Sequence, residues 1–397
     1  MRPDGPAPVV RESPTGETGT DATSRIDAFL AHRAPPTPFI AIDLEAVRAR
    51  WKVFRGYFPK ARIFYAVKAN PAPEVIAALA ALGADFDLAS EGESARCRAL
   101  GIDANRCSFG NTVKRTAEIA AAYRSGIDLF AFDSADELEK LARAAPGTRV
   151  LCRILVHTSH AQWPLTNKFG CGHEMAAELL CRAKTLGLRP AGVSFHVGSQ
   201  QADPAQWAVA IAGAAWVFRT CARNGLDLEL VNAGGGFPSQ YRDPVPPLEA
   251  YAEVIDGALA RHFGGSMPSV AVEPGRTMVG DAGVLRAEVL AVARKSRQAQ
   301  ERWVYLDAGR YNGLAETQGE RIRYRLRTAH DGTPCGPVIL AGPTCDSSDI
   351  IYQHSGYELP LAVSRGDHVD FLSAGAYTAS YASVDFNGFE PVKTYFV

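Results

Sequence analysis

Eight short apolar runs, separated by segments of helical spacing, recur over about 230 residues of this chain, and that alternation constrains its fold more than any other feature. They are IFYAV just before Lys68, FDLAS at 86–90, CSFG at 107–110, LFAFD at 129–133, VLCRILV at 150–156, GVSFHV at 192–197, LELVNAG at 228–234 and VAVEPG at 270–275. Between them lie segments such as PEVIAALAALG (73–83) and EGESARCRALG (91–101), whose apolar residues recur at helical spacing and which end in glycine. Eight strands in series, each followed by a helix, predict a closed (β/α)8 barrel rather than an open sheet.

The barrel is expected to occupy residues 37–280. From 281 to 397 the texture changes to strand-like runs such as RWVYLDAG, PVILAGPTC and GDHVDFLSAG, broken by glycine, proline and charged turns. That pattern predicts a C-terminal, mainly antiparallel β domain. PFIAIDL at 38–44 is also strand-like and fits either domain. Residues 1–25, rich in Pro, Gly, Thr and acidic residues without periodicity, read as a disordered tail.

Composition narrows the partners. Lys plus Arg number 42 against 43 acidic residues, for a net charge of -1, and no basic stripe offers a nucleic-acid surface. No stretch approaches the roughly 20 apolar residues of a membrane span, and the N-terminus lacks the apolar core of a signal peptide. The eight cysteines lack CxxC pairs, so the sequence writes neither a zinc site nor a disulfide framework. Together these point to a cytoplasmic protein with a small-molecule partner, no nucleic acid, no membrane and no metal.

In such a barrel, catalytic side chains gather where strands end. Lys68 closes the first run, Asp87 sits in the second, His196 ends the sixth, Gly234, Gly235 and Gly236 follow the seventh, and Glu273 ends the eighth with Arg276 three residues on. A lysine at the end of an apolar strand is a candidate Schiff-base nucleophile, because burial lowers its pKa and frees the amine; most lysines at strand ends simply reach solvent. A glycine run lets consecutive backbone amides approach a phosphate, although the same run also serves as an ordinary loop. Glu273 and Arg276 could form a plain ion pair, and His196 a hydrogen-bonded core histidine. Taken jointly, a carboxylate, an amine and an anion cradle at one mouth are what a protonated pyridine ring with a phosphate requires.

These residues lie in ordered motifs, YAVKAN, FDLAS, FHVGS, NAGGGFP, EPGR, GPTCDSSD and AGAYT, that resemble the ornithine/lysine/diaminopimelate decarboxylases, pyridoxal-phosphate enzymes sharing a barrel with alanine racemase. The resemblance runs from about residue 37 to the C-terminus. It implies that Lys68 carries pyridoxal 5'-phosphate, Glu273 partners the pyridine nitrogen and His196 stacks on the ring. Ser199, Gly234, Gly235, Gly236, Arg276 and Tyr377 would grip the phosphate, while Asp87 and Arg153 would line the Schiff-base side. Cys345 would protonate Cα after decarboxylation and Asp346 receive the substrate's distal amine, both reaching the site of a partner subunit in a homodimer.

The resemblance favours a basic L-amino acid, ornithine before lysine, with Glu316 expected to supply a second substrate carboxylate. Eukaryotic ornithine decarboxylases carry a Tyr-Asp pair ahead of GPTC, whereas Tyr324 here is followed by Arg325, which would repel an ammonium. Arginine, an N-methylated lysine, a D-amino acid or diaminopimelate are the alternatives. An amino-acid racemase, a regulatory homologue binding a protein, and a cofactor-free barrel aldolase are the competing classes. The first would need a tyrosine base, the second would have lost Lys68 or Cys345, and the third leaves the glycines without a purpose.

Overall fold

The computed structural model describes residues 18–33, 35–157, 159–163 and 167–397. A strand β1 (Phe39–Ile42) precedes the barrel, whose first five strands are β2 (Arg62–Ala66), β3 (Asp85–Leu88), β4 (Cys107–Phe109), β5 (Leu129–Phe132) and β6 (Arg149–Arg153). A short strand β7 (Ala161–Trp163), the barrel strand β8 (Arg189–Ser194), β9 (Ser199–Gln201), which pairs with β7, and the barrel strands β10 (Leu230–Asn232) and β11 (Ser269–Val272) complete this part. Every expected run forms a strand, and the eight close in parallel, β11 pairing back onto β2.

Local chemistry sets the strand-to-helix turns. Ser90 and Ser134 each accept the amide three residues on, at 3.3 Å, and so cap the helices that follow β3 and β5. Pro73 opens the helix after β2, where its missing N–H costs nothing. Inside the barrel, Phe64, Leu129, Leu151, Ala191, Leu230 and Ala271 form a separate buried cluster. This plug leaves the strands' C-terminal ends as the open face. Where β8 meets β10 the chain needs glycine, since a Cβ at Gly192 would lie 1.8 Å from the Leu230 carbonyl oxygen.

The second unit contains β12 (Gly283–Ala293), β13 (Arg302–Leu306), β14 (Arg325–Thr328), β15 (Cys335–Ala341), β16 (Ile350–Tyr352), β17 (Glu358–Pro360), β18 (His368–Leu372) and β19 (Lys393–Phe396). Its ladders are antiparallel except β13 with β15 and β1 with β19. β1 therefore joins this sheet, between β12 and β19, with Ile40 opposite Leu285 and Thr394. All four of its residues are buried, which explains why PFIAIDL reads as a continuous apolar strand. A short helix, Arg276–Val279, and a 3₁₀ turn carry the chain from β11 into β12.

The N-terminal expectation needs correcting. A helix spans Thr18–His32 and so occupies part of the segment read as a tail, while residues 1–17 lie outside the described residues. Asp27 on this helix pairs with Arg327, which also reaches Asp370 on β18. Helix and β domain are thereby tied by long-range charge that no local periodicity reveals. Among the described residues no helix is long and apolar enough to cross a membrane.

Candidate active site

Lys68 lies two residues beyond β2, in the 3₁₀ turn Val67–Ala69. Protein atoms crowd around its amine, yet the side chain is exposed to two spaces that share Lys68 and Tyr377 in their lining. One is an inner pocket shared with His196, Ser199, Glu273, Arg276 and Tyr377; the other is an outer cavity of about 770 Å³ that includes Ser90, Glu93 and Arg96. Burial alone depresses the amine, but Tyr377, Asp87 and Glu273 outweigh burial and the opposing Arg153, and the net direction is upward. The expectation that burial frees this amine is thus reversed: in net direction its neighbours favour the ammonium over the neutral amine.

Asp87 on β3 is pushed well above the usual carboxylate range, first by burial and then by Glu273, against the pull of Lys68. Ser108 donates to it at 3.1 Å. Gly110 makes room for it, because a Cβ there would meet Asp87 Oδ1 at 2.0 Å. Burial, then the charges of Arg153 and Lys68, hold His196 well below its ordinary value, so the imidazole is neutral. Its Nδ1 accepts the Gly198 amide at 3.0 Å, which places the proton on Nε2. Arg153, at the end of β6, lies 5.3 Å from the Phe169 ring centroid.

The glycine run divides in function. The Gly234 amide donates to Asn232 Oδ1 at 2.9 Å, so it holds the loop and does not grip an anion, contrary to expectation. The amides of Gly235 and Gly236 have no partner among the described residues. Side chains there are excluded: a Cβ at 235 would be 2.5 Å from the Glu273 carbonyl oxygen, and one at 236 would be 2.4 Å from that of Gly198. Asn232 also donates to Glu273 Oε1 at 2.5 Å. This one asparagine, a polar interruption of an apolar strand, couples the carboxylate to the glycine loop; sequence reasoning passed over it.

Arg276 completes the inner pocket. Its Nε and Nη2 reach Ser199 Oγ at 3.3 and 3.1 Å, Nη1 donates to Tyr241 Oη at 2.8 Å, and the guanidinium lies 4.8 Å from the Tyr377 ring centroid. Burial keeps the Tyr377 phenol above its ordinary value and therefore a hydrogen-bond donor. Glu316 is not a substrate carboxylate in this arrangement. It is buried, and its two oxygens bind Arg276 Nη1 and Nη2 at 2.7 and 2.6 Å. Arg325 also stands apart, donating to Ser373 Oγ at 3.3 Å and lining neither space around Lys68, so its charge does not bear on a substrate ammonium there.

Cys345 and Asp346 follow β15 on the other domain and line neither the inner pocket nor the outer cavity. Cys345 is exposed, with Sγ 3.5 Å from Asn387 Oδ1. Hydrogen bonds from Ser348 hold the half-exposed Asp346 below the usual carboxylate range. The loop is shaped by Asp349, which accepts the Arg310 amide at 2.9 Å, the Thr344 amide at 3.1 Å and the Thr344 hydroxyl at 2.7 Å. Asp349 belongs to the GPTCDSSD motif but has no expected role in the sequence reading.

The set fits an aromatic aldehyde bearing a phosphate: unpartnered amides and an arginine for the anion, a neutral imidazole for the ring face, a carboxylate for a ring nitrogen and an amine for the aldehyde. Fold and site together define a barrel enzyme of the class that works through such a cofactor. The family described as "Pyridoxal-dependent decarboxylase, pyridoxal binding domain" matches residues 44–280. The lysine/ornithine decarboxylase of Selenomonas ruminantium is 36% identical over 357 residues, covering 89% of this chain and 88% of that protein. Two solved structures share the whole architecture. The Vibrio vulnificus lysine/ornithine decarboxylase complexed with putrescine has a TM-score of 0.83 at 31% identity, covering 94% of this chain and 97% of that one. The Paramecium bursaria Chlorella virus arginine decarboxylase has a TM-score of 0.85 at 26% identity, covering 95% and 100%.

This chain belongs to the pyridoxal-dependent decarboxylases, and its cofactor is pyridoxal phosphate.

Proposed function

We propose that the protein removes the α-carboxylate of a basic L-amino acid, ornithine or lysine, giving the diamine and CO2. The observation that carries this reading is the convergence of Lys68, His196, Glu273 and Arg276 on one inner pocket, in a chain whose relatives are lysine/ornithine decarboxylases. Lys68 would hold the cofactor through its aldehyde, Glu273 would face the pyridine nitrogen, and His196 would cover the ring. Gly235, Gly236, Ser199, Arg276 and Tyr377 would hold the phosphate. Bound pyridoxal phosphate supplies the electron sink for the bond to the departing carboxylate. Asp87 and Arg153 would line the side on which Lys68 meets substrate.

Cys345 Sγ would return the proton to Cα, and Asp346 would receive the distal ammonium, both from a partner subunit in a homodimer. Support for that sharing comes from their place on an exposed loop outside both spaces around their own chain's Lys68. Eight free thiols favour a reducing, cytoplasmic setting. The test is CO2 release and amine product by mass spectrometry, with added pyridoxal phosphate, over L- and D-ornithine, lysine, arginine, N-methylated lysine and diaminopimelate. Turnover of ornithine or lysine is expected; turnover confined to another member would replace the substrate, and absence of CO2 from all would overturn the reading.

A further inference from the structure

A second cavity, of about 490 Å³, lies where the barrel meets the β domain, and it takes up the one sequence anomaly that the active site does not use. Arg325 lines it from the start of β14, and Arg50 lines it from the helix Leu44–Tyr57. Arg50 is held rigidly, its Nε donating to the Thr277 carbonyl at 3.0 Å and its Nη2 to Thr277 Oγ1 at 2.8 Å. Neither guanidinium has a carboxylate within ion-pair distance among the described residues. Burial depresses Arg50, and only the field of Asp281, which lines the same cavity, opposes it. Two arginines against one aspartate leave the cavity with an excess positive charge. Asp281 is itself engaged by the Gln240 amide at 2.9 Å. The remaining wall mixes apolar side chains, including Leu248, Met278 and Leu372, with the polar Gln240, Thr277 and Ser373.

We propose that this cavity is a binding site for a small carboxylate-bearing molecule with an apolar body, its carboxylate taken by Arg50 and Arg325. A guanidinium presents paired donors that match a carboxylate's two oxygens, and the half-buried Arg50 and exposed Arg325, with no carboxylate in ion-pair distance among the described residues, are free to take such a ligand. The volume lies in the range of small-molecule sites. Thr277 and Met278 form its wall in the same short helix whose first residue, Arg276, lines the cofactor pocket, so the two sites share one element.

The experiment is calorimetric titration of the full-length, cofactor-loaded protein with benzoate, glutarate and hexanoate, and with neutral benzamide as control. Saturable binding of at least one acid is expected, with no binding of benzamide. Arg325→Ala should weaken that acid at least tenfold while leaving the cofactor absorbance unchanged, and Arg325→Lys should weaken it less. No saturable binding by any of the three acids would overturn the proposal. So would binding unaltered by Arg325→Ala, which would place the acid elsewhere, or benzamide binding as well as benzoate.

Discussion

Both carboxylate oxygens of Glu316 bind the two terminal nitrogens of Arg276, in a pair whose side chains are only 6% and 2% exposed. The pair fixes the guanidinium that faces Ser199 before any anion arrives. Glu316→Gln should therefore destabilise the cofactor-free protein by about 3–5 kcal/mol, the cost of leaving a buried charge alone. The cofactor-loaded form should lose less, because a phosphate supplies the missing negative charge. Denaturant unfolding with and without pyridoxal phosphate checks this; equal losses in both forms would show that Arg276 does not meet the phosphate.

Lys68 sets a pH dependence. A raised pKa means that the neutral amine, the form that attacks an aldehyde, grows by about tenfold per pH unit between pH 7 and 9. Cofactor loading of the cofactor-free protein, followed by absorbance, should accelerate accordingly, and Lys68→Ala should abolish the covalently bound band. Stability runs the other way. A cation favoured in the folded state contributes fully below its unfolded value of 10.5 and is lost as pH rises through the higher folded value. A flat loading profile would refute the ammonium assignment.

Asp349 should act through Cys345 rather than through the cofactor. Asp349→Ala leaves the Arg310 and Thr344 donors unsatisfied, at a cost of about 1–3 kcal/mol, and frees the loop that carries the thiol. We expect kcat to fall at least tenfold with cofactor affinity unchanged. Loss of cofactor absorbance in this variant would contradict a role confined to that loop.

His196 predicts acid sensitivity. Its folded form is neutral, so the unfolded chain takes up a proton first as pH falls below 6.5, and stability drops from there downward. His196→Phe should flatten the decline in unfolding midpoint between pH 7 and 5 compared with the parent protein. An identical decline in both would mean that other groups govern it.

The barrel was legible in the sequence because parallel strands buried on both faces read as apolar runs, and glycines mark the ends of helical segments such as 73–83 and 91–101. Lys68, His196 and Glu273 were legible for a related reason: a polar residue just beyond an apolar run lies at the barrel's open face. What the sequence could not determine were relations between distant segments, since charge pairing and hydrogen bonding act through space and leave no periodicity. The pairing of Glu316 with Arg276, the placement of β1 beside β12 and β19, and the separation of Arg325 from the Lys68 pocket were all decided by tertiary structure. So was the direction of the Lys68 pKa. Burial, which the sequence implies, lowers it, and only the three-dimensional approach of Tyr377, Asp87 and Glu273 reverses the sign.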